Sequence, residues 1–357
     1  MRVTHPTATK GTAMQTISIL DPTTDRAQID KLLDENTYVD GWDSALEDLE
    51  KLNRFSPKPT EYDPAQLDSH SRYIFYPWRQ TVLRLPDAQI FHRLRTARNC
   101  YLITDAEQAT WASSTIAIAG LSVGGSVLSV CALTGAGNLR IADPDTLGPS
   151  NLNRLVGSVC DLGVPKTTLA YRRVVEADPY TTIEAFDEGF SAATESAFIG
   201  SGASKATVIL EEMDDLARKV HLRKVARAAR VPVIMVTDDG DDVILDVERY
   251  DLDGNYPLFH GRGGDLSNLT EEELQDQDRR VELAGRIVGY NVDERLEVAL
   301  AQVGKTIPTW PQLGTAASLA GVVGAIAARK LVCGHELPSG RCHVRASDLK
   351  MLDGTID

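Results

Sequence analysis

From Thr115 onward, runs of apolar residues alternate with segments in which apolar residues recur at helical spacing. The run at 116–119 is continuous, which is typical of a strand that is covered on both faces. Residues 139–142 also predict a strand. The remaining elements of this alternation are strands predicted at 181–189, 206–212 and 231–239 and helices predicted at 126–133, 166–177 and 215–229. This order predicts an α/β fold with a doubly wound, Rossmann-like and largely parallel sheet.

The pattern changes late in the chain. Residues 242–252 alternate between apolar and polar after the turn sequence DDGDD, which predicts late antiparallel strands. A polar helical stretch follows at 269–290. The apolar segment 313–332 contains Thr315, Ser318, Arg329 and Lys330 and many small residues, so we expect a buried helix rather than a membrane span.

The first ninety residues carry a different pattern. Residues 1–15 show no periodicity, 25–52 favour helices, and the prolines of FSPKPTEYDP end that pattern. Residues 72–86 are aromatic and β-branched and predict a strand or an extended arm, and helices are predicted after it. The predicted organisation is a mostly helical N-terminal extension (1–90), a domain built on the alternating strands and helices (91–335) and a C-terminal tail (336–357).

Composition narrows the class of protein. The net charge of −14 over 357 residues argues against a nucleic-acid-binding surface. The first fifteen residues have no apolar core, so no signal peptide and a cytoplasmic location are expected. The five cysteines form no C-x-x-C pair, which favours a reduced protein without a zinc site.

A glycine turn, GLSVGGS, joins the strand at 116–119 to the next helix. Gly120, Gly124 and Gly125 allow a phosphate to approach the backbone N–H groups and the positive end of the helix dipole. Asp143 ends the following strand, where an acid commonly accepts hydrogen bonds from ribose hydroxyls. The set favours a ligand that contains adenosine, although glycines at such a turn also serve strand–helix packing.

The residues after Asp143 favour a triphosphate over a redox dinucleotide. Asn151 and Arg154 follow it, and Lys166 opens a helix. Two fixed cations can stabilise the charge that builds when pyrophosphate leaves. Asp214, after the strand at 206–212, is a candidate ligand for magnesium between phosphates, or else the cap of the helix that follows.

These motifs resemble the ThiF/MoeB family, the adenylating enzymes related to ubiquitin-activating enzymes. The resemblance covers about residues 95–332 and includes the glycine loop, DPDTLGPSNLNR for the family's D-x-D-x-x-x-x-S-N-L-x-R, and DLGVPK for D-x-G-x-x-K. EEMDD loosely matches D-x-x-D-N, RTARN resembles R-Y-x-R-Q, and the late LGTAASLAGVVGAIAARKLV resembles the family's closing helix. The combination of SNLNR with DLGVPK is the most specific part.

The resemblance implies a set of roles. Nucleotide binding would fall to Gly120, Ser122, Gly124, Gly125, Asp143, Asp145 and Asn151. Catalysis would fall to Arg154, Lys166, Asp214 as the ligand of ATP-bound Mg²⁺, and Arg98, which would reach the neighbouring site of a homodimer. The implied reaction is attack of a carboxylate on the α-phosphorus of ATP, which gives an acyl-adenylate and pyrophosphate. The carboxylate would belong to a peptide or protein C-terminus or to a small acid, and a downstream partner enzyme could take the product.

The chain departs from the family at three places. Ser122 and Val123 replace two loop glycines, the paired cysteines of the zinc site are absent, and no cysteine lies between Cys160 and Cys333. Transfer through a cysteine in the crossover region is therefore not expected. Two alternatives stay open. The first is a non-catalytic scaffold or partner subunit, which the altered loop favours. The second is an NAD- or FAD-dependent oxidoreductase, in which SNLNR and Lys166 would have no function.

Overall fold

The computed structural model describes residues 14–56, 59, 69–289, 291–307 and 309–348. The predicted unstructured start lies almost entirely outside these residues, as does most of the proline-rich break. The chain divides into two units, one of residues 1–109 and 174–181 and one of residues 110–173 and 182–357. The sequence-based boundaries at 90 and 335 stay a prediction.

The first unit is built on a four-stranded sheet with the order β1-β3-β4-β2. Its elements are β1 (Ser18–Leu20), α1 (Arg26–Glu35), β2 (Thr37–Asp40), α2 (Trp42–Phe55), β3 (Ser71–Tyr76), β4 (Thr81–Pro86) and α3 (Ala88–Thr96). Ile74 and Val82 are fully buried in the central strands, and Trp42 and Leu49 of α2 are buried too. Helix α4 (Asp105–Ser113) links this unit to the next, and Thr104 and Glu107 form its capping box.

The second unit contains the alternating part of the chain except residues 174–181, so the last turn of one helix that begins in it belongs to the first unit. Its elements are β5 (Thr115–Ala119), α5 (Gly124–Leu133), β6 (Asn138–Ala142), α6 (Lys166–Ala177), β7 (Thr182–Phe186), α7 (Glu195–Ile199), β8 (Val208–Glu211), α8 (Leu216–Ala228), β9 (Val233–Asp239), β10 (Asp242–Glu248), α9 (Glu271–Gln275), α10 (Gln277–Val288), α11 (Glu294–Leu300), α12 (Gly314–Val332) and β11 (Gly340–Val344).

The seven strands are ordered β11-β10-β9-β8-β5-β6-β7. The pairs among β7, β6, β5, β8 and β9 are parallel, whereas β10 and β11 are antiparallel to their neighbours. The predicted fold class, a Rossmann-like sheet with late antiparallel strands, is confirmed. The strand order reverses between β5 and β8, and open α/β sheets bind ligands at such a switch point.

Helix α12 lies against α5 and against β8, β9 and β10. By length and composition alone it is long and apolar enough to cross a membrane, yet half of that stretch is buried inside the protein. Its small residues have a packing reason: a Cβ on Gly321 would lie 2.8 Å from the backbone of Ser126 in α5. Close contact between the two helices therefore accounts for the apolar, glycine-rich sequence.

Two strands lie where the sequence predicted something else. β2 interrupts the stretch 25–52 that favoured helices throughout, and it pairs in parallel with β4. β11 lies inside the predicted tail and pairs with β10 from Val243↔Val344 to Val247↔Gly340. The stretch 72–86, predicted as one strand or arm, forms the antiparallel pair β3 and β4. Short edge strands depend on a partner strand rather than on local pattern, so they are the hardest elements to predict.

Candidate active site

The predicted site residues of the second unit gather at the carboxyl ends of β5, β6 and β8. Gly120, directly after β5, has φ of +89°, and a Cβ there would lie 2.4 Å from the carbonyl oxygen of Glu212. A Cβ on Gly124 would lie 2.9 Å from Ile118. These two glycines are explained by packing. Around Gly125 there is open space, so that glycine leaves room for a ligand next to the helix backbone.

The first turn of α5 can bind an anion. No side chain caps this helix, whose N-cap residue Val123 has helical dihedral angles. The N–H groups at the start of a helix carry positive potential, and uncapped ones bind phosphate readily. The side chain of Val123 is buried, so the β-branched residue in the loop fills the protein interior and leaves the helix end accessible.

Asp143 at the end of β6 holds the loops around it in place. One carboxylate oxygen accepts a hydrogen bond from Leu121 N (2.6 Å) and the other from Asp145 N (2.8 Å). Burial raises the pKa of Asp143, and the nearby positive charge of Lys166 opposes that rise. Because each carboxylate oxygen has two lone pairs, a ribose hydroxyl can still hydrogen-bond to it. The ribose role stays a prediction.

Lys166 begins α6 and is almost fully buried. Its Nζ lies 2.8 Å from Asp145 Oδ2 and 3.7 Å from Asp143 Oδ1. The Asp145 side chain is mostly exposed, at 66%. The lysine is therefore held at the site by two carboxylates, one of which faces solvent and can give way to a phosphate oxygen.

Arg154 is oriented by the residue that departs from the family loop. Its Nε donates to Ser122 Oγ at 2.9 Å, and its Nη1 donates to Ser150 O and to Asn153 Oδ1. Ser122 is itself buried. These contacts leave Nη2 without a hydrogen-bond partner among the described residues. The loop serine thus fixes a guanidinium group with one edge still able to donate.

Asn151 has a local structural role. Its Oδ1 accepts a hydrogen bond from Gly148 N at 2.8 Å, which closes the short turn before Arg154. This contact sets the direction in which the chain enters the 3₁₀ turn 149–151. A contact from Asn151 to a phosphate stays a prediction.

The structure separates the two alternatives for Asp214. The cap of α8 is Asp215, whose carboxylate accepts from Arg218 N at 2.9 Å. Asp214 is exposed and has no hydrogen-bond or ion-pair partner in the described part of the chain. No group of three or more His, Cys, Asp or Glu residues is arranged to hold a metal within the described ranges. A metal here would have to take most of its ligands from a nucleotide and water.

Arg98 belongs to the first unit. It lies in the 3₁₀ turn Ala97–Asn99 that follows α3, and its side chain is exposed. Hydrogen bonds and ion pairs thus join Asp143, Asp145, Lys166 and Arg154 to one another or to the glycine turn. Asn151 lies in the turn before Arg154, Asp214 follows β8, and Arg98 lies in another part of the chain.

Sequence reasoning missed Asp238, the residue before the last one of β9. Its side chain is 4% exposed, Oδ2 accepts from Gln312 Nε2 at 3.1 Å, and Oδ1 has no hydrogen-bond partner among the described residues. Burial raises the pKa of Asp238 to about 6. Gln312 and Arg154 oppose that rise, whereas the charge of Asp214 adds to it. The acid-rich sequence DDGDD was the available signal, but we interpreted it only as the turn before the strand at 242–252.

The chain has a Rossmann-like sheet with an uncapped helix end and two cations near its switch point, where open α/β sheets bind ligands. The chain belongs to the ThiF family, whose model matches residues 95–343. The uncharacterized protein MT1398 of Mycobacterium tuberculosis (strain CDC 1551 / Oshkosh) is 34% identical over 306 residues. That match covers 85% of this chain and 42% of the relative, so the chain spans less than half of the relative's length.

Solved structures of low sequence identity are similar to this chain, and E. coli MccB shares its fold. E. coli MccB has a TM-score of 0.51 at 14% identity, with 86% of this chain and 83% of MccB covered. The E. coli tRNA N6-threonylcarbamoyladenosine dehydratase TcdA has a TM-score of 0.49 at 15% identity, with 68% of this chain and 95% of TcdA covered.

Proposed function

We propose that this protein catalyses ATP- and Mg²⁺-dependent adenylation of a substrate carboxylate in the cytoplasm. The observation that carries the proposal is that two cations are held at the loop before the uncapped start of α5. Arg154 is held there through Ser122, and Lys166 through the buried acid Asp143. Membership of the ThiF family and the fold shared with MccB, which has also been solved with ATP, support it.

In the proposed reaction, a carboxylate oxygen attacks the α-phosphorus of ATP. A new P–O bond forms, the bond to the β-phosphate oxygen breaks, and pyrophosphate leaves. The α5 N–H groups, Arg154 and Lys166 stabilise the negative charge on the phosphates, and positioning supplies most of the remaining rate enhancement. Lys166 would exchange Asp145 for a phosphate oxygen as the nucleotide binds. No protein nucleophile is needed, in keeping with the absence of cysteines between Cys160 and Cys333.

The exposed carboxylate of Asp214 suits a magnesium ion that arrives with the nucleotide. Magnesium usually takes one or two protein carboxylates and completes its shell with phosphate oxygens and water. It would neutralise phosphate charge. No zinc is expected, because the sequence has no C-x-x-C pair.

The proposal includes a homodimer in which Arg98 of each chain serves the neighbouring site. In this proposal the substrate carboxylate belongs to a peptide or protein C-terminus or to a small molecule. A downstream enzyme would then transfer the acyl group.

The test is a pyrophosphate-release screen with pooled acids, peptides and ubiquitin-like tails, preceded by calorimetric titration with ATP–Mg²⁺. Arg154→Ala and Lys166→Ala should each lower the release rate by roughly 10²- to 10³-fold, the usual cost of removing one group that stabilises transition-state charge. Arg280→Ala, an exposed arginine on α10, is the matched control and should keep the wild-type rate. Unchanged rates in both site variants would refute the assigned roles.

A non-catalytic scaffold is the second candidate, favoured by the loop in which Ser122 and Val123 replace glycines. If the protein is a scaffold, it should bind no ATP–Mg²⁺ at millimolar nucleotide in the same titration.

A further inference from the structure

The segment before α12 (residues 309–313, the pre-helix segment) lies directly against the motif that contains Arg154. Asn153 Nδ2 donates to Gln312 O at 2.8 Å, although the two residues are 159 positions apart in the sequence. A Cβ on Gly314 would lie 2.6 Å from Asn153 O, so the two backbones are in direct contact where α12 begins. A movement of either segment therefore displaces the other.

The pre-helix segment is also anchored to the hairpin of β9 and β10. Gln312 Nε2 donates to Asp238 Oδ2 at 3.1 Å, and Asp238 is a buried residue of β9. In the first turn of α12, the hydroxyl of Thr315 donates to the exposed carboxylate of Asp241. The position of the segment is thus set by the central sheet on one side and by SNLNR on the other.

Asn153 connects the pre-helix segment to the guanidinium group of Arg154. Its Oδ1 accepts from Arg154 Nη1 at 3.0 Å, while its Nδ2 donates to Gln312 O. A side-chain amide contains both an acceptor and a donor, so one asparagine can make the two contacts at once. An aspartate has no donor and an alanine has neither group. The residue type at position 153 therefore suits a link between the two segments.

The direction of the guanidinium group depends on this link. Ser122 accepts from Nε, and Asn153 and the carbonyl of Ser150 accept from Nη1. Because the group is planar and rigid, contacts at Nε and Nη1 fix the direction of Nη2. Nη2 has no hydrogen-bond partner among the described residues, so it is the nitrogen that can donate to a phosphate oxygen. Ser122 orients it from the glycine loop, and Asn153 orients it from the pre-helix segment.

We propose that Asn153 is a positioning residue that couples the pre-helix segment to Arg154, so that this segment sets the direction in which the guanidinium group meets the phosphates. The inference rests on the proposed adenylation, in which Arg154 stabilises charge on ATP. A displacement of about 1 Å at a reacting site can lower a rate by roughly 10²-fold. A residue that acts only through Arg154 can therefore control the rate.

The competing interpretation is that Asn153 only fastens the start of α12. The two interpretations differ in how the effect of a variant depends on Arg154. If Asn153 acts through the guanidinium group, its removal has no further effect once that group is absent. A loss of packing instead adds its free energy to that of a second, independent change.

The experiment compares Asn153→Ala and Gly314→Ala on the full chain, each alone and each combined with Arg154→Ala. Asn153→Ala removes the link, and Gly314→Ala forces the pre-helix segment away from Asn153 without removing a hydrogen-bonding side chain. Calorimetry measures ATP–Mg²⁺ binding, and the acid screen measures pyrophosphate release.

Each single variant should lower the release rate about 10- to 100-fold and weaken ATP–Mg²⁺ binding about 3- to 10-fold. In the Arg154→Ala protein, neither change should lower either quantity by more than about 2-fold further.

The matched controls are Gly285→Ala and Asn255→Ala, which should keep wild-type binding and release. A Cβ on Gly285, in α10, would meet no atom within 4 Å, and Asn255 is exposed after β10.

Wild-type binding and release in both single variants would overturn the inference. Losses that multiply with the loss in Arg154→Ala would overturn it as well, because they would identify a packing role. The binding comparison needs no acid, so it decides the inference even when no pyrophosphate is released, a result that would refute only the adenylation proposal. Failure of the wild type to bind ATP–Mg²⁺ would refute both.

Discussion

At the scale of single residues, the structure gives Ser122 a role in the site although it replaces a loop glycine of the family. A serine in a phosphate-binding glycine loop suggests a weakened site. In the structure its Oγ accepts from Arg154 Nε at 2.9 Å, so the hydroxyl orients the cation that is proposed to act on the phosphates. The contact links the altered loop to SNLNR, two motifs that are far apart in the sequence.

We therefore expect Ser122→Ala and Ser122→Gly to weaken ATP–Mg²⁺ binding about 3- to 10-fold, since a hydrogen bond of this kind contributes about 1 kcal/mol. Isothermal titration calorimetry measures the change. Ser113→Ala serves as the control, because within the described residues the Ser113 hydroxyl bonds only to the carbonyl of Thr110 in its own helix. Tighter binding in a Ser122→Gly, Val123→Gly double variant would show instead that the natural loop is a weakened site.

Asp238 predicts a pH dependence of stability. Its pKa is 3.8 in an unfolded chain and about 6 in the fold, because burial disfavours the charged form. The folded state then holds the proton more tightly, so the contribution of Asp238 to stability is greatest below about pH 4 and falls as the pH rises to about 6. The loss is at most about 3 kcal/mol at 1.36 kcal/mol per pKa unit.

Asp238→Asn removes this titration. In urea unfolding we expect the variant to be about 2 kcal/mol more stable than wild type at pH 8 and nearly equal to it at about pH 4. Asp241→Asn should show no such pH-dependent gain. A gain of the same size at both pH values would mean that Asp238 does not titrate in this range.

At the scale of elements, the alternation from β5 to β9 was sufficient to predict the parallel core. The strands β5 and β8 are largely apolar runs with a helical pattern after them, and α6 begins and ends where periodicity placed it. β2 and β11 were not predictable in this way, since each is a short strand that depends on a distant partner.

The acidic residues of EEMDD, at and after the end of β8, show that sequence pattern was also insufficient to predict the surroundings of residues inside the site. The sequence treated EEMDD as one acidic motif, but its members have different surroundings. Glu211 is fully buried and pairs with Arg223, which also pairs with Glu248 and lies 3.7 Å from the centre of the Phe259 ring. Asp215 caps α8, and Asp214 alone faces solvent without a partner among the described residues. Burial and partners come from the three-dimensional packing, which spacing does not encode.

At the scale of the whole molecule, the open prediction is that two chains share each site. The resemblance assigns Arg98 to the neighbouring subunit's ATP, and Arg98 lies exposed in the first unit. Most oligomers of this kind are symmetric dimers with two equivalent sites. If each site uses residues from both chains, two variants that are inactive alone can recover activity when they form mixed dimers. A site built within one chain does not allow this recovery.

Arg98→Ala and Lys166→Ala should each be inactive alone in pyrophosphate release. When the two are mixed and the subunits exchange, each mixed dimer contains one intact site, so about one quarter of the wild-type activity should return with random pairing. A mixture of Arg154→Ala and Lys166→Ala is the control, since both residues lie in the same chain's site and no intact site can form. Sedimentation of the mixture establishes that dimers are present. Dimers without recovered activity would place Arg98 in its own chain's site or in none.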